Sequence, residues 1–344
     1  MSLLERLKAE IAEGGPLTVA QYMHRCLHDP RGGYYATRPA LGEDGDFITA
    51  PLVSQMFGEL IGLWAVEVWT RLGCPRRVRL VEAGPGDGTL MSDILRAARL
   101  VPAFVEAAEV WLVETSQPLK ARQRERLGDL RWAGDLAEVP GGAPVILIAN
   151  ELLDCLPARQ FVRADGDWIE RMVGVTEEGL TFGLASEPKG ETGDILEVSA
   201  AQEAFGAQVG ELVAREGGAA LLIDYGRAEP GFGDTLQALR RHQKVDSLAC
   251  PGEADLTVHA DFPAVIAAAR DAGARAAILT QGEFLRRLGI EHRAAALAAA
   301  RPDRAQTLGR QLDRLIAPGQ MGELFKAACI HSVGLAPPGF EELT

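Results

Sequence analysis

One stretch decides how this chain folds: Val78-Arg79-Leu80-Val81-Glu82-Ala83-Gly84-Pro85-Gly86-Asp87-Gly88-Thr89-Leu90. Its first half is apolar enough to be a buried strand, and its second half is a glycine turn that opens onto a helix. Glycines at 84, 86 and 88 let the backbone turn tightly and approach a ligand closely, which a Cβ would prevent. The stretch therefore predicts a strand, a turn and a helix N-terminus that cradle a nucleotide-type cofactor.

The spacing of the glycines distinguishes two classes of cofactor. A dinucleotide fingerprint has two residues between its second and third glycines, whereas only one residue separates Gly86 from Gly88. Glu82 also precedes Gly84 by two residues, and an acid there favours a cofactor that carries an amino group and no pyrophosphate. The pattern favours S-adenosylmethionine over NAD. The residues predicted to hold it are Glu82, Gly84, Pro85, Gly86, Gly88 and Thr89.

Three further strand-like stretches end in polar residues. Glu114 follows residues 110–113 and is expected to bind the ribose diol, while Asp135, with Leu136 beside it, is expected near the adenine amino group. Asn150 and Glu151 end the apolar run 145–149, and Asn150 is added to the cofactor residues. Ligands of open parallel sheets bind beyond the carboxyl ends of the strands. The sequence thus predicts an α/β fold with a Rossmann-like sheet, in which the polar residues that end the strands lie together at one edge.

Composition excludes several classes of protein. The chain has 344 residues, of which 47% are hydrophobic, and a formal charge of −13 without a dense basic stretch, which argues against nucleic-acid binding. Five scattered cysteines form no close pairs, so we expect ordinary thiols and no metal site. Residues 1–15 lack a leader pattern, and no apolar run reaches the ~18 residues that span a bilayer. We therefore expect a cytoplasmic protein that does not insert into membranes.

The remaining patterns divide the chain into two regions. Residues 1–75 are expected to be largely helical and to cap the substrate and the cofactor, with an amphipathic helix at 57–69. Residues 76–344 are expected to form the sheet domain. Turn formers at 164–167 and 177–179 predict inserted β-hairpins at about 157–200, and the alanine- and arginine-rich segment 283–316 predicts a helical insertion.

The whole chain resembles the MidA family of class I S-adenosylmethionine-dependent methyltransferases. Besides the glycine loop, the matching motifs are His28-Asp29-Pro30, Gly33-Tyr34-Tyr35, Gly45-Asp46-Phe47-Ile48-Thr49-Ala50-Pro51, Ser54-Gln55, Phe57-Gly58-Glu59, Asn150-Glu151-Leu152-Leu153-Asp154, Leu156-Pro157, Arg159-Gln160-Phe161, Asp224-Tyr225-Gly226, Pro251-Gly252, Asp255-Leu256-Thr257, Asp261-Phe262, Gln281-Gly282, Phe284-Leu285, Met321-Gly322 and Phe325-Lys326. Two positions depart from the family pattern: Leu52 replaces a frequent acid and Leu239 a frequent tyrosine.

The resemblance implies methyl transfer to a protein side chain. In mitochondrial members of the family this is an arginine of a respiratory complex I core subunit. A guanidinium is planar and protonated, so a carboxylate pair can hold its charge on one side while the free nitrogen attacks. Glu151 and Asp154 are the predicted catalytic pair, although Asp154 could instead cap a helix that begins at 156–157. Substrate contacts are expected at Tyr34, Thr49, Ser54, Gln55, Tyr225 and His259.

Three functions remain open from the sequence. The first is a protein arginine methyltransferase that modifies a complex I core subunit or a related protein. The second is a complex I assembly factor or scaffold that keeps the fold without catalysis. The third is an NAD-linked oxidoreductase, because a glycine loop alone does not exclude it. No interface pattern determines the oligomeric state, so a homodimer also remains open.

Overall fold

The computed structural model describes residues 1–37, 49–188 and 191–341. The strands, in chain order, are β1 Leu17–Thr18, β2 Val78–Ala83, β3 Ala108–Val113, β4 Arg131–Ala133, β5 Val145–Asn150, β6 Arg159–Ala164, β7 Asp167–Thr176, β8 Gly179–Leu184, β9 Thr192–Val198, β10 Gly218–Arg227, β11 Gln237–Arg240, β12 Gln243–Val245, β13 Asp255–Thr257, β14 Ala260–Asp261, β15 Arg275–Thr280 and β16 Phe325–His331. The α-helices are α1 Leu3–Gly14, α2 Val19–His28, α3 Tyr34–Thr37, α4 Ala50–Val53, α5 Gln55–Arg71, α6 Thr89–Ala98, α7 Pro102–Ala107, α8 Gln117–Leu127, α9 Ala200–Glu216, α10 Phe262–Asp271, α11 Gln281–Arg287, α12 Ile290–Ala300, α13 Ala305–Ile316 and α14 Met321–Leu324.

A mostly parallel sheet forms the centre of the molecule. Its order is β15-β16-β10-β5-β2-β3-β4, with β14 beside β10. The strands from β10 to β4 run parallel, and β16 is antiparallel to both of its neighbours. The predicted α/β fold with a Rossmann-like sheet is confirmed. Because β2 and β5 are adjacent and parallel, the glycine turn and Asn150 lie at the same edge of the sheet.

Both faces of the central sheet are buried, as the unbroken apolar runs predict. Side chains alternate along a strand, so Leu80 and Ile146 face one layer while Val81 and Leu147 face the other. The helices α5 and α6 pack on the first face, and α9 and α10 pack on the second. The predicted helix at 57–69 is part of α5, which is buried on more sides than an amphipathic pattern requires.

A second, antiparallel sheet follows β5 in the chain. It contains β6, β7, β8 and β9, and β1 from the N-terminal region pairs with β7. The predicted hairpins are confirmed, because β6 pairs antiparallel with β7 and β7 with β8. In the first turn Asp165 and Gly166 have φ values of 49° and 87°, as a type I′ turn requires. The helices α1 and α2 share an apolar core with this sheet and with β13. The N-terminal region is therefore attached to the inserted strands as well as to the central sheet.

Two other expectations have definite outcomes. The helical segment predicted at 283–316 is confirmed by α11, α12 and α13. The helix that Asp154 could have capped does not form: residues 151–158 are irregular, with one turn closed by the hydrogen bond from Leu156 N to Leu153 O. The motif residues Gly45, Asp46, Phe47 and Ile48 lie outside the described residues.

Candidate active site

A cavity of about 320 Å³ lies at the carboxyl ends of the central strands. The glycine turn after β2 and the ends of β3, β4 and β5 form one side of it. The N-terminal region contributes His28, Tyr35, Thr49, Pro51 and Leu52, and α9 contributes Phe205 and Gln208. The predicted edge of the sheet is therefore one wall of a pocket that residues of the N-terminal region and of α9 cover.

The glycine turn has the backbone geometry of a close ligand cradle. Gly84, Gly86 and Gly88 have φ values of 67°, 54° and 83°, which residues with a Cβ rarely adopt. A Cβ on Gly84 would also lie 2.9 Å from Leu152 Cδ1. Gly84, Pro85 and Gly86 line the cavity, whereas Gly88 precedes α6 and supports the turn from behind.

Three polar atoms around the cavity lack hydrogen-bond partners among the described residues. They are Glu82 Oε2, Thr89 Oγ1 and Asn150 Oδ1, all of them buried. Leaving such an atom unpaired costs about 1–3 kcal/mol. Burial, with the nearby charge of Asp87, also raises the pKa of Glu82 well above its usual value. A ligand with hydroxyl and ammonium donors would relieve these costs.

The predicted ribose and adenine acids lie on the same cavity wall. Glu114 Oε1 accepts a hydrogen bond from the backbone N–H of Ser116 at 2.7 Å, and burial raises the Glu114 pKa. Asp135 accepts from the backbone N–H of Ala137 at 2.8 Å, so it caps the short 3-10 helix at 136–138. Leu136 is buried beside it and lines the cavity.

Glu151 and Asp154 lie at the other end of the cavity. Glu151 has a φ of 54°, an unusual value for a residue other than glycine, and backbone strain of this kind clusters at functional sites. Its Oε1 accepts hydrogen bonds from Ala50 N at 3.1 Å and from Asn150 Nδ2 at 3.0 Å. Within the described part of the chain, neither carboxylate forms an ion pair with a lysine or arginine, although the charge of Arg314 acts to lower the Glu151 pKa.

Burial disfavours the ionised form of these carboxyl groups and of the neighbouring Asp224. Desolvation, followed by the charge of Asp154, raises the pKa of Glu151 to about 8. Desolvation raises the pKa of Asp154 to about 6. Asp224 is completely buried behind them, and its pKa lies well above the usual value for the same reason. The three groups form an acidic cluster that a bound cation would stabilise in its charged form.

Similar proteins identify the family. A family model described as "Putative S-adenosyl-L-methionine-dependent methyltransferase" matches residues 60–280. The "Protein arginine methyltransferase NDUFAF7 homolog, mitochondrial" of Drosophila melanogaster is 35% identical, over 94% of this chain and 84% of its own length. The chain belongs to the MidA family of S-adenosylmethionine-dependent methyltransferases. The human "Protein arginine methyltransferase NDUFAF7, mitochondrial" is 34% identical, over 94% of this chain and 82% of its own length.

A solved structure extends the agreement to the fold and the cofactor. A COG1565 superfamily member from Burkholderia thailandensis, bound to S-adenosyl-homocysteine, has a TM-score of 0.86 and 28% identity, and the match covers 98% of this chain and 94% of that one. The cofactor of this MidA-family enzyme is S-adenosylmethionine, as predicted. The cavity fits it, because the glycine cradle admits a close ligand and the unpaired Glu82 oxygen suits an ammonium group.

The cavity brings together most, but not all, of the predicted site residues. Those that line it are Glu82, Gly84, Pro85, Gly86, Thr89, Glu114, Asp135, Leu136, Asn150, Glu151, Asp154 and Thr49. Tyr34 is buried in the N-terminal core, Ser54 caps α5, and Gln55 is the exposed first residue of that helix. Tyr225 is buried beside Asp154, and the ring of His259 packs edge-on against it at 5.6 Å.

Sequence reasoning missed several residues of the cavity. Tyr35, rather than its neighbour Tyr34, faces the cavity, and its hydroxyl donates to Asp255 at 2.8 Å and 3.0 Å. Asp255 also lines the cavity and belongs to a family motif, which was the available signal. Asp224 was visible as an acid at a strand end. Its supporting position became clear only from the fold.

The expected localisation is wrong. The relatives are named as mitochondrial proteins, which contradicts a cytoplasmic assignment. The expectation relied on the first residues and on unpaired cysteines, and neither feature identifies a compartment. None of the helices in the described ranges has both the length and the apolar character needed to cross a membrane.

Proposed function

We propose that this MidA-family enzyme methylates an arginine side chain of a protein. The observation that carries the proposal is the pair of the partly buried Glu151 and the buried Asp154, which lines the cavity without an ion-pair partner among the described residues. Burying unpaired carboxyls is costly, so such a pair is expected only where a cation will bind. The names of the relatives, which are protein arginine methyltransferases, agree with a guanidinium as that cation.

The acidic pair would orient the acceptor. A carboxylate that accepts two parallel N–H bonds holds a guanidinium in one plane and keeps its charge on the clamped side. S-Adenosylmethionine supplies an electrophilic methyl group on a sulfonium. Transfer then depends mainly on alignment of the free nitrogen with that methyl.

Proton balance also suits these residues. As the new N–C bond forms and the C–S bond breaks, the methylated guanidinium loses one proton. The pKa of Glu151 is raised to about 8 before substrate binds, so the bound guanidinium cation would displace the proton of this carboxyl to solvent. The ionised carboxylate would then accept the proton that the methylated guanidinium loses. Asp154 would keep the remaining charge of the product in place.

We propose the substrate contacts in two groups. Thr49 lines the cavity, which supports it as a contact. Tyr225 does not line the cavity, and its buried hydroxyl interacts with Asp154 and Thr257, so its support is its position beside Asp154. Tyr34, Ser54, Gln55 and His259 remain proposals without cavity contact. The proposed cap formed by residues 1–75 is supported by His28, Tyr35 and Thr49, which cover the cavity.

The proposed target is a complex I core subunit or a related protein. This part of the proposal rests on the resemblance to mitochondrial MidA members. From the residues alone, the supported acceptor is a cationic, planar side chain on a segment that can enter a pocket of about 320 Å³.

The test combines a variant with a matched control. The purified protein is incubated with methyl-labelled S-adenosylmethionine and an extract of cells that lack it, and the labelled amino acid is identified after hydrolysis. We expect labelled methylarginine with the wild type and none with Glu151→Gln, although Glu151→Gln binds S-adenosylhomocysteine normally. The control is Glu197→Gln, a buried acid that contacts Gln160 and Thr235 outside the cavity. Full transfer by Glu151→Gln, or label on another residue type, would refute the proposal.

A further inference from the structure

Gln123 is a buried glutamine behind the wall of the cofactor cavity. It belongs to α8, and its side chain has no exposed surface. Its Nε2 donates hydrogen bonds to the backbone oxygen of Gly86 at 2.7 Å and to Glu114 Oε2 at 3.3 Å. Its Oε1 accepts a hydrogen bond from Trp132 Nε1 at 2.8 Å. One side chain therefore joins the glycine turn, the residue that follows β3, and β4.

The partners of Gln123 allow only one orientation of its amide. A primary amide nitrogen carries two hydrogens, and both have an acceptor here. The indole nitrogen of Trp132 can only donate, so it requires the amide oxygen on its side. A flipped amide would place its oxygen against two acceptors. Gln123 thus specifies the relative positions of Gly86 and Glu114.

Glu114 is held at both of its carboxylate oxygens. Gln123 donates to Oε2, and the backbone N–H of Ser116 donates to Oε1. Both Gly86 and Glu114 line the cavity that takes the cofactor, whereas Gln123 itself lies behind them. A buried side chain that restrains two separate groups of a binding site lowers the cost of ordering them when the ligand binds.

We propose that Gln123 is a positioning residue for S-adenosylmethionine. It acts through Gly86 and Glu114. By binding both, it fixes the distance between the glycine turn and the carboxylate that follows β3 before the cofactor binds. The proposal concerns cofactor affinity and is independent of which side chain accepts the methyl group.

The chain contains a closely matched control residue. Gln160 is also completely buried, and its Nε2 donates to two carboxylates, Glu197 at 2.9 Å and Asp234 at 3.0 Å. Its Oε1 accepts from Arg171 Nη1 at 3.1 Å. Gln160 therefore has two acceptors and one donor, as Gln123 has, but it lies on β6 in the antiparallel sheet. A purely structural role would give the two glutamines the same phenotype.

The test is calorimetric titration of Gln123→Leu and Gln160→Leu with S-adenosylhomocysteine. We expect the dissociation constant of Gln123→Leu to rise about tenfold or more, as the loss of hydrogen bonds to a charged group produces. Both variants should lose thermal stability, but Gln160→Leu should bind S-adenosylhomocysteine as the wild type does. Wild-type affinity in folded Gln123→Leu would overturn the proposal.

A double-mutant cycle tests the route through Glu114. In a Glu114→Gln background, Gln123→Leu should weaken binding by a smaller factor than in the wild type, because one of its partners has already changed. Equal factors in both backgrounds would overturn the link to Glu114. If Gln123→Leu does not fold, Gln123→Met replaces it, since methionine has nearly the same length as glutamine and removes the same hydrogen bonds to Gly86, Glu114 and Trp132. A raised dissociation constant then supports the proposal, and an unchanged one overturns it.

Discussion

The buried carboxylate of Asp224 accepts a hydrogen bond from the backbone N–H of Asp154 at 3.2 Å. The same oxygen accepts from Leu153 N at 2.8 Å, and the other oxygen accepts from Tyr225 N at 2.8 Å. A side chain of β10 therefore holds the turn that follows β5 in place. Because Glu151 and Asp154 belong to that turn, the geometry of the acidic pair depends on a residue that is distant in the chain.

Asp224→Asn should loosen this turn. Asparagine has one acceptor oxygen in place of two, so it cannot accept hydrogen bonds from both Leu153 N and Tyr225 N. We expect the free energy of unfolding to fall by about 1–3 kcal/mol and methyl transfer to fall more than S-adenosylhomocysteine affinity. Urea denaturation and calorimetry measure the two effects. The exposed Asp194→Asn is the control, and wild-type stability in Asp224→Asn would contradict the prediction.

The stability of ligand-free Glu151→Gln relative to the wild type should increase as the pH rises. A carboxyl whose pKa is raised in the folded state holds its proton more tightly there, so its contribution to stability is present at low pH and is lost as the pH rises through the folded pKa. With a folded pKa of about 8, this loss occurs between about pH 4 and 8. Glutamine keeps the acceptor oxygen and removes the titration.

Urea denaturation at pH 5 and pH 8 measures this effect. The stability of Glu151→Gln relative to the wild type should increase from pH 5 to pH 8 by an amount on the order of a few kcal/mol. Glu109→Gln is the control: the hydrogen bond from Arg77 lowers the Glu109 pKa, so this carboxylate is ionised throughout the range and the stability difference of its variant should not change between pH 5 and pH 8. A constant difference for Glu151→Gln at both pH values would mean that Glu151 titrates normally.

Gly86→Val should abolish cofactor binding. Gly86 has a φ of 54°, and a β-branched residue in that left-handed region is strained by at least about 1–2 kcal/mol. Its side chain would also alter the turn that faces the ligand. The control is Gly183→Val in β8, where a Cβ meets no atom within 4 Å and valine suits a strand. Titration with S-adenosylhomocysteine should detect binding by the control only, and binding by folded Gly86→Val would argue against the cradle.

Tyr35→Phe should weaken the attachment of the N-terminal region to β13. The change removes a hydrogen bond to the Asp255 carboxylate, which is worth about 1.5–3 kcal/mol. Tyr22→Phe is the matched control, because the buried Tyr22 hydroxyl donates to the neutral backbone oxygen of Ser247 at 2.7 Å. Chemical denaturation should show a larger loss for Tyr35→Phe. Equal losses of stability in the two variants would contradict the prediction that the bond to the Asp255 carboxylate is the stronger one.

Sequence reasoning predicted many of the residues that line the cavity, for a local reason. Glu82, the glycines and Thr89 lie within one strand, turn and helix, where spacing along the chain is also spacing in space. Glu114 and Asn150 each follow a buried apolar run, and parallel strands bring such positions to one edge. Substrate-side residues were harder to predict. Tyr34 and Tyr35 are adjacent, and nothing in the pattern indicates which of the two faces the cavity.

The amino-acid sequence was sufficient for the α/β class, the glycine cradle and the family, because these depend on local periodicity and on motifs of fixed spacing. The acidic cluster required the folded chain. Its members Glu151, Asp154 and Asp224 come from turns and strands that meet only when β10 pairs with β5, and their raised pKa values result from burial among those elements. The bonds of Gln123 to Gly86 and Glu114 are likewise tertiary, since helix, turn and strand approach one another only in the packed structure.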